Sequence, residues 1–116
     1  MSKRDPINSL RDMRAYAWRA VRIASRHTIE TLGDDETSKL ALERALEIVG
    51  EAANRVPSSF RERNDEIPWV QIVGLRNALA HGYDSVRIEI LLNVCNRDLP
   101  SLIKQLDALI GDGTDG

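Results

Sequence analysis

Aromatic residues are scarce in this chain, cysteine is scarcer, and long apolar runs are missing. Five aromatics in 116 residues, 4% of the chain, are too few for a β-sandwich or barrel, and no segment sustains the period-2 alternation of a half-buried strand. The lone cysteine, Cys95, excludes an internal disulfide and suits a reducing cytoplasm. It sits in the apolar run LLNVC, where a small core thiol is expected rather than a nucleophile. No apolar run approaches the roughly 20 residues of a membrane span. The opening residues MSKRDPINSL lack the apolar core of a secretion signal, so a cytoplasmic protein without membrane attachment is expected. There are two histidines, His27 and His81, no His-x-x-Glu or paired-cysteine spacing, and no glycine-rich loop of Walker type. Neither a dedicated metal site nor a bound cofactor is expected.

Charge of one sign is missing overall but not locally. The net charge is −2, which does not mark a general nucleic-acid binder. Residues 1–26 nevertheless hold seven basic residues (Lys3, Arg4, Arg11, Arg14, Arg19, Arg22, Arg26) against Asp5 and Asp12, a local +5, and the remainder carries −7. Six of the seven are Arg, whose planar fork suits phosphate. Such a strip is either a solvated helix face or a surface that steers RNA.

What the chain does have is helical periodicity. We read one domain over residues 1–116, an all-α, antiparallel up-down four-helix bundle, with a disordered tail from about residue 111. The first helix opens at Asp5-Pro6 and runs to about Leu32, with Leu10, Met13, Ala17, Val21, Ala24 and Thr28 facing inward and Gly33 as the stop. The second opens in Asp34-Asp35-Glu36 and ends before Pro57, with Leu42, Leu46, Val49, Ala53 and Val56 inward. Gly50 inside it lets another helix approach closely. Residues 57–67 read as a polar connection. The third helix spans Pro68 to Gly82. The fourth opens near Asp84-Ser85 with Val86, Ile90, Val94 and Cys95 inward, kinks or restarts near Pro100, and resumes through Leu102, Leu106 and Leu109.

The third helix carries the chemistry. From Pro68 to His81 it reads PWVQIVGLRNALAH, with only Gln71, Arg76, Asn77 and His81 polar. A segment this apolar is expected to be the most buried of the four, with a second subunit as one way to cover two of its faces. Buried Arg and His are costly unless paired. Arg76 falls in the middle of the apolar arc, whereas Asn77 and His81 share another face. Arg76 and His81 lie roughly 140° apart around the helix and about 7.5 Å apart along it. They meet only if the helix end unwinds at Gly82 or if a second copy of the chain completes the site. An imidazole, a guanidinium and an amide fit metal-free cleavage of RNA: His takes the ribose 2′-OH proton and Arg stabilises charge growing on phosphorus. Two plainer roles compete. His before Gly suits a helix C-terminus, and an inward Arg can pair with Glu43, Glu47 or Glu51 of the second helix.

The motif Arg76-Asn77-x3-His81-Gly82-Tyr83 resembles the R-x4-6-H motif of HEPN domains, in the R-N-x3-H-x-Y form of HepT-like toxins. The segments LERALEIVGEAANRVP, IPWVQIVGLRNALAHGY and DLPSLIKQL are similar to the same family in the same order, so the resemblance covers roughly residues 5–110. It implies a HEPN-like bundle that forms a homodimer with the two motifs facing each other. It implies a metal-independent endoribonuclease that acts as the toxin of a type VII toxin–antitoxin pair. Its antitoxin would be a minimal nucleotidyltransferase, MntA, which adds AMP to the motif tyrosine. Carried over by position, Arg76 and His81 are catalytic, Asn77 supports them, and Tyr83 accepts AMP. Ala78 and Ala80 stand where relatives often carry bulkier or basic residues. The alternative is a non-enzymatic HEPN module that binds a nucleotidyltransferase or a nucleotide.

Overall fold

The structure is a computed structural model and describes residues 5–82 and 86–111. Every regular element among them is helical: α1 (Ile7–Ala24), α2 (Ile29–Gly33), α3 (Glu36–Arg55), α4 (Ser58–Arg63), α5 (Trp69–His81), α6 (Ile88–Asn93) and α7 (Leu99–Ile110). A π turn, Val94–Asp98, joins α6 to α7. The four long rods of the expected all-α bundle are therefore α1, α3, α5 and the α6–α7 composite. α1 packs against α3 and α7, and α3 in turn carries α5.

α1 and α3 form for the reasons their sequences give. The Asp5 carboxylate accepts the Ile7 amide at 3.0 Å, occupying a donor that the first helical turn leaves free. Leu10, Met13, Ala17, Ala20 and Ala24 are buried along one face of α1. Asp35 caps α3 by accepting the Ser38 amide at 3.0 Å. Leu42, Leu46, Val49 and Ala53, with Val56 just past the helix end, are buried against α1 and the centre of the bundle. The core is mostly aliphatic, with Leu32, Ile67, Leu91 and Leu106 among its most enclosed side chains.

Three expectations about element boundaries are corrected. The first helix does not reach Leu32: it ends at Ala24, and α2 restarts at Ile29. Thr28, expected inward, is exposed and caps α2, accepting the Thr31 amide at 3.2 Å while Thr31 Oγ1 accepts the Thr28 amide at 2.9 Å. This reciprocal box satisfies two donors locally and outweighs continuation of the stripe. Residues 57–67 are not only a connection, since Ser58–Arg63 forms α4, a short helix without a buried residue. The fourth helix begins at Ile88 rather than near Asp84-Ser85, two residues outside the described set. Its Ile90 faces out at 43% exposure, and Leu91 and Leu92 are buried instead.

The irregularity expected at Pro100 takes the form of the π turn. The Leu99 amide donates to the Val94 carbonyl, five residues back, and the widened turn precedes a proline that has no amide to give. Val86 and Cys95 are buried as expected, Val94 is half-buried, and Leu102 and Leu106 fall inward. Gly111 closes α7 in a left-handed conformation, φ 63°. The last residues of the tail, 112–116, lie outside the described set.

Candidate active site

α5 departs most from expectation. It is nearly all apolar, yet Trp69 is its only buried residue. Val70 is 83% exposed, and Ile72, Val73, Leu75, Ala78 and Leu79 are only partly covered. The helix expected to be the most buried is instead a half-covered rod, because within one chain its cover comes mainly from α3. Burying an aliphatic side chain of this size is worth about 1.5–3 kcal/mol, so several such gains remain unrealised along α5. Its start is anchored by Trp69, whose indole donates to the Asn64 carbonyl at 3.0 Å.

Arg76 sits where α5 meets α3. A Cβ built on Gly50 of α3 would overlap the Arg76 Cβ, and would lie 2.9 Å from the Arg76 Cγ and 3.1 Å from the Ile72 carbonyl oxygen. The Arg76 stem therefore lies flat on the bare backbone of Gly50. This is the close approach expected at Gly50, and the residue it admits belongs to the motif. Any side chain at position 50 would lift Arg76 and this turn of α5 away from α3.

The guanidinium has one fixed contact. Arg76 Nη1 donates to Asn77 Oδ1 at 2.9 Å, the only hydrogen bond the Arg76 side chain makes among the described residues. Its Nε is buried with no acceptor, an arrangement that costs about 1–3 kcal/mol until something pairs with it. The carboxylates considered as internal partners are engaged elsewhere. Glu47 and Glu51 lie 3.2 and 3.4 Å from Arg44, and Glu43 lies 3.2 Å from Lys39. Pairing of Arg76 with a core Glu is thus ruled out among the described residues. Asn77 is exposed, and its amide oxygen holds the Arg76 fork rather than a backbone group.

His81 is exposed in the last turn of α5. The helix does not unwind before it: the Gly82 amide closes on the Ala78 carbonyl at 2.7 Å. The structure thus brings Arg76 and Asn77 together and, with α5 intact, leaves His81 on the Asn77 face, apart from Arg76. Of the two routes for uniting Arg76 with His81, local unwinding is not taken. Tyr83 lies outside the described residues.

Elsewhere the chain offers little competing chemistry. Cys95 is buried, and desolvation pushes its thiol up to about 12, so it stays protonated and inert near neutrality. His27 contacts Thr31 Oγ1 at 3.0 Å beside the α2 cap and approaches Asp35 at 3.9 Å. Among the described residues no three His, Cys, Asp or Glu side chains gather where a metal ion could be held. An apolar groove of about 590 Å³ runs between α3, α5 and the α6–α7 rod, with Ile72, Leu75, Ile90 and Val94 on its walls.

What sequence reasoning missed is the role of Gly50 as the seat of Arg76. The signal was present, a glycine inside a strong helix, but nothing in the sequence names the neighbour across the contact.

Comparisons with known proteins agree with the family resemblance. A family model described as ribonuclease HepT-like matches residues 8–109. A Thermococcus cleftensis protein described as a probable ribonuclease HepT is 36% identical over 75 residues, covering 65% of this chain and 68% of that one. A Methanocaldococcus jannaschii protein described as a candidate RNase is 32% identical over 107 residues, covering 92% of this chain and 98% of its own. A third, from Caldanaerobacter subterraneus and also described as a candidate RNase, is 34% identical over 83 residues, or 72% and 74% of the two chains. No solved structure matches. With the family match running from the first turn of α1 to the last turn of α7, this chain belongs to the HepT-like ribonuclease family.

Proposed function

We propose that this protein is a metal-independent endoribonuclease whose working site is completed by a second copy of the chain. The observation that carries the reading is Arg76: pinned by its stem on Gly50, unpaired with any described carboxylate, and set in a helix whose apolar faces are only half covered. A second copy packed along α5 would cover Val70 and its neighbours and bring two Arg76 and two His81 residues around one phosphate. Within one chain an intact helix holds Arg76 and His81 apart. Across a two-fold axis that separation is no obstacle, because each motif supplies what the other lacks.

The chemistry then balances without a metal. His81 of one protomer takes the proton from a ribose 2′-OH. The 2′-oxygen attacks phosphorus while Arg76 stabilises the charge gathering on the non-bridging oxygens. The bond from phosphorus to the 5′-oxygen breaks, and the departing oxygen takes a proton from His81 of the partner subunit. The products are a 2′,3′-cyclic phosphate and a 5′-OH. Asn77 holds the Arg76 fork in orientation throughout.

In this reading the protein is a toxin acting in the cytoplasm, and Tyr83 is the site of its control. A nucleotidyltransferase antitoxin would transfer AMP to the Tyr83 hydroxyl, placing a phosphate and a nucleoside two residues from His81. That phosphate would compete with RNA for Arg76, and its bulk would close the site. The experiment is cleavage of RNA by purified protein in EDTA. Wild type is expected to cleave and leave cyclic-phosphate ends, and His81→Ala to be folded and inactive. Cleavage that requires an added metal, or that survives His81→Ala, would overturn the mechanism. For the control step, co-expression with the nucleotidyltransferase should add the mass of AMP to wild type and not to Tyr83→Phe.

A further inference from the structure

The outward face of α1 is a second feature that the reading above leaves unused. Its buried stripe is complete, so this helix has no apolar side left to cover. On the opposite side, Arg11, Trp18, Arg19, Arg22 and Arg26 are all exposed. At 100° per residue Arg11, Trp18, Arg19 and Arg22 fall within an arc of about 100° over about 17 Å of helix, and Arg26 follows in the turn just past its end. Trp18 is 47% exposed in the middle of it. An exposed indole within a row of guanidinium groups is an unusual use of surface for a protein whose total charge is negative.

Several arginines of the bundle are committed to carboxylates. Arg14 pairs with Asp107 at 2.9 Å, Arg55 with Asp12 at 3.1 Å, and Arg44 with Glu47 and Glu51. Arg22 and Arg26 make no ion pair with a carboxylate among the described residues, and Arg19 lies over the Tyr16 ring at 4.3 Å. Asp12, beside this arc on α1, is held by Arg55. Arg22 and Arg26 thus keep their cations available, and Trp18 stays uncovered.

We infer that the outward face of α1 is an RNA-binding surface, with Arg22, Arg26 and Arg19 on phosphates and Trp18 stacked on a base. Guanidinium groups alternating with an exposed aromatic ring are what a single-stranded polyanion with flat bases requires. A lipid surface fits less well, because the apolar side of α1 is locked in the core and cannot insert. An acidic protein would satisfy the charges but gives Trp18 no matching partner. α1 packs on α3 and α7 whereas α5 packs on α3, so this surface is separate from the Arg76 site. It would hold RNA at a distance from the cleaved bond, selecting substrates long enough to reach both. The inference rests on RNA as the substrate class but not on the roles of Arg76 and His81.

The test reads binding without cleavage. His81→Ala protein is titrated with a polyuridine strand longer than the stripe, across a range of salt. Replacing both Arg22 and Arg26 by Ala is expected to lower the slope of log K against log salt by about 1.4, two phosphate contacts on a single strand. Trp18→Ala is expected to weaken binding at least about fivefold. RNA should quench the tryptophan fluorescence of the parent, and the quench should vanish in Trp18→Phe, because the other tryptophan, Trp69, is buried. All three changes sit on exposed side chains, and circular dichroism checks that the bundle is intact. An unchanged salt slope with an unchanged quench would overturn the assignment. So would variants that keep their RNA affinity and lose only the capture of an acidic protein.

Discussion

α3 and α5 lie against each other and obey opposite rules. α3 is capped by Asp35, buries seven residues on one side and settles its charges on the other through Arg44, Glu47 and Glu51. Its sequence and its surroundings agree. α5 has no side-chain cap, fewer charges and a higher share of apolar residues, yet buries one. Its sequence describes an environment that a single chain does not provide. A helix explained by its own chain is there to hold the fold, whereas one explained only by something further marks where the protein meets its partner or substrate. The motif stands on the second kind, clamped to the first at Gly50.

The largest expected break in this contrast is catalytic. His81→Ala should lower RNA cleavage about 100- to 10,000-fold, the usual range for loss of a general acid or base, and leave the melting temperature unchanged, because His81 is exposed. Activity assays alongside thermal melts would check this, and a large drop in stability would assign His81 to the fold instead. Next in size is a matched pair of apolar truncations. Leu42→Ala in α3 should cost about 2–5 kcal/mol of stability by opening a cavity. Val70→Ser in α5 should stay within about 0.5 kcal/mol in the isolated chain while shifting the monomer–dimer balance seen by sedimentation. If Val70→Ser leaves association untouched, the exposed face of α5 is not the dimer surface.

Two glycines sharpen the seam itself. Gly50→Ala should destabilise by about 1–3 kcal/mol through overpacking against Arg76, and should depress kcat more than the folded fraction explains. Gly74 sits on α5, and a Cβ there meets nothing within 4 Å. Gly74→Ala should therefore stabilise the single chain by about 0.5–1 kcal/mol through lost unfolded-state freedom. Denaturant titration of the two variants would separate them, and equal effects would mean that the Gly50 seat is not special. The smallest effect is on the cap. Hydrogen bonds from the Ser38 amide and hydroxyl hold the Asp35 carboxyl below its usual range. A carboxyl with a lowered folded pKa contributes stability above its unfolded pKa and loses it as the pH falls through the folded one. Stability should therefore decline toward acid in wild type, and Asp35→Asn should flatten that limb in pH-dependent melts.

How much was legible in the sequence followed the same division. Leu42, Leu46, Val49 and Ala53 mark their own burial, because the partners they need are in the same chain and repeat at helical spacing. Thr28 was misplaced because a stripe is a long-range pattern whereas the Thr28–Thr31 box is settled within four residues, and the shorter-range chemistry won. α4 was invisible to a reading based on apolar stripes, since it buries nothing. The burial of α5 was overestimated because hydrophobicity records what covers a helix in the working assembly, whichever chain supplies it. Arg76, Asn77 and His81 were found as oddities on an apolar helix. Their relative placement needed the structure, because only an intact last turn decides that His81 stays apart from Arg76.

The π turn before Pro100 has a consequence for the phase of the fourth rod. An extra residue in one turn rotates everything after it by about 100° relative to an uninterrupted α-helix. α6 keeps Leu91 and Leu92 buried in the part of the rod that packs on α2, and α7 keeps Leu102 and Leu106 buried where the rod packs on α1. On an uninterrupted helix the four leucines would share one arc of about 100°, and the added residue turns the second pair away from the first, toward a different neighbour. The turn works as a gear with one added tooth. Deleting a single residue there would leave a regular α-helix with α6 and α7 in their present relative phase, so the rod should tolerate that loss, whereas a deletion within α7 would turn its inner face by about 100°.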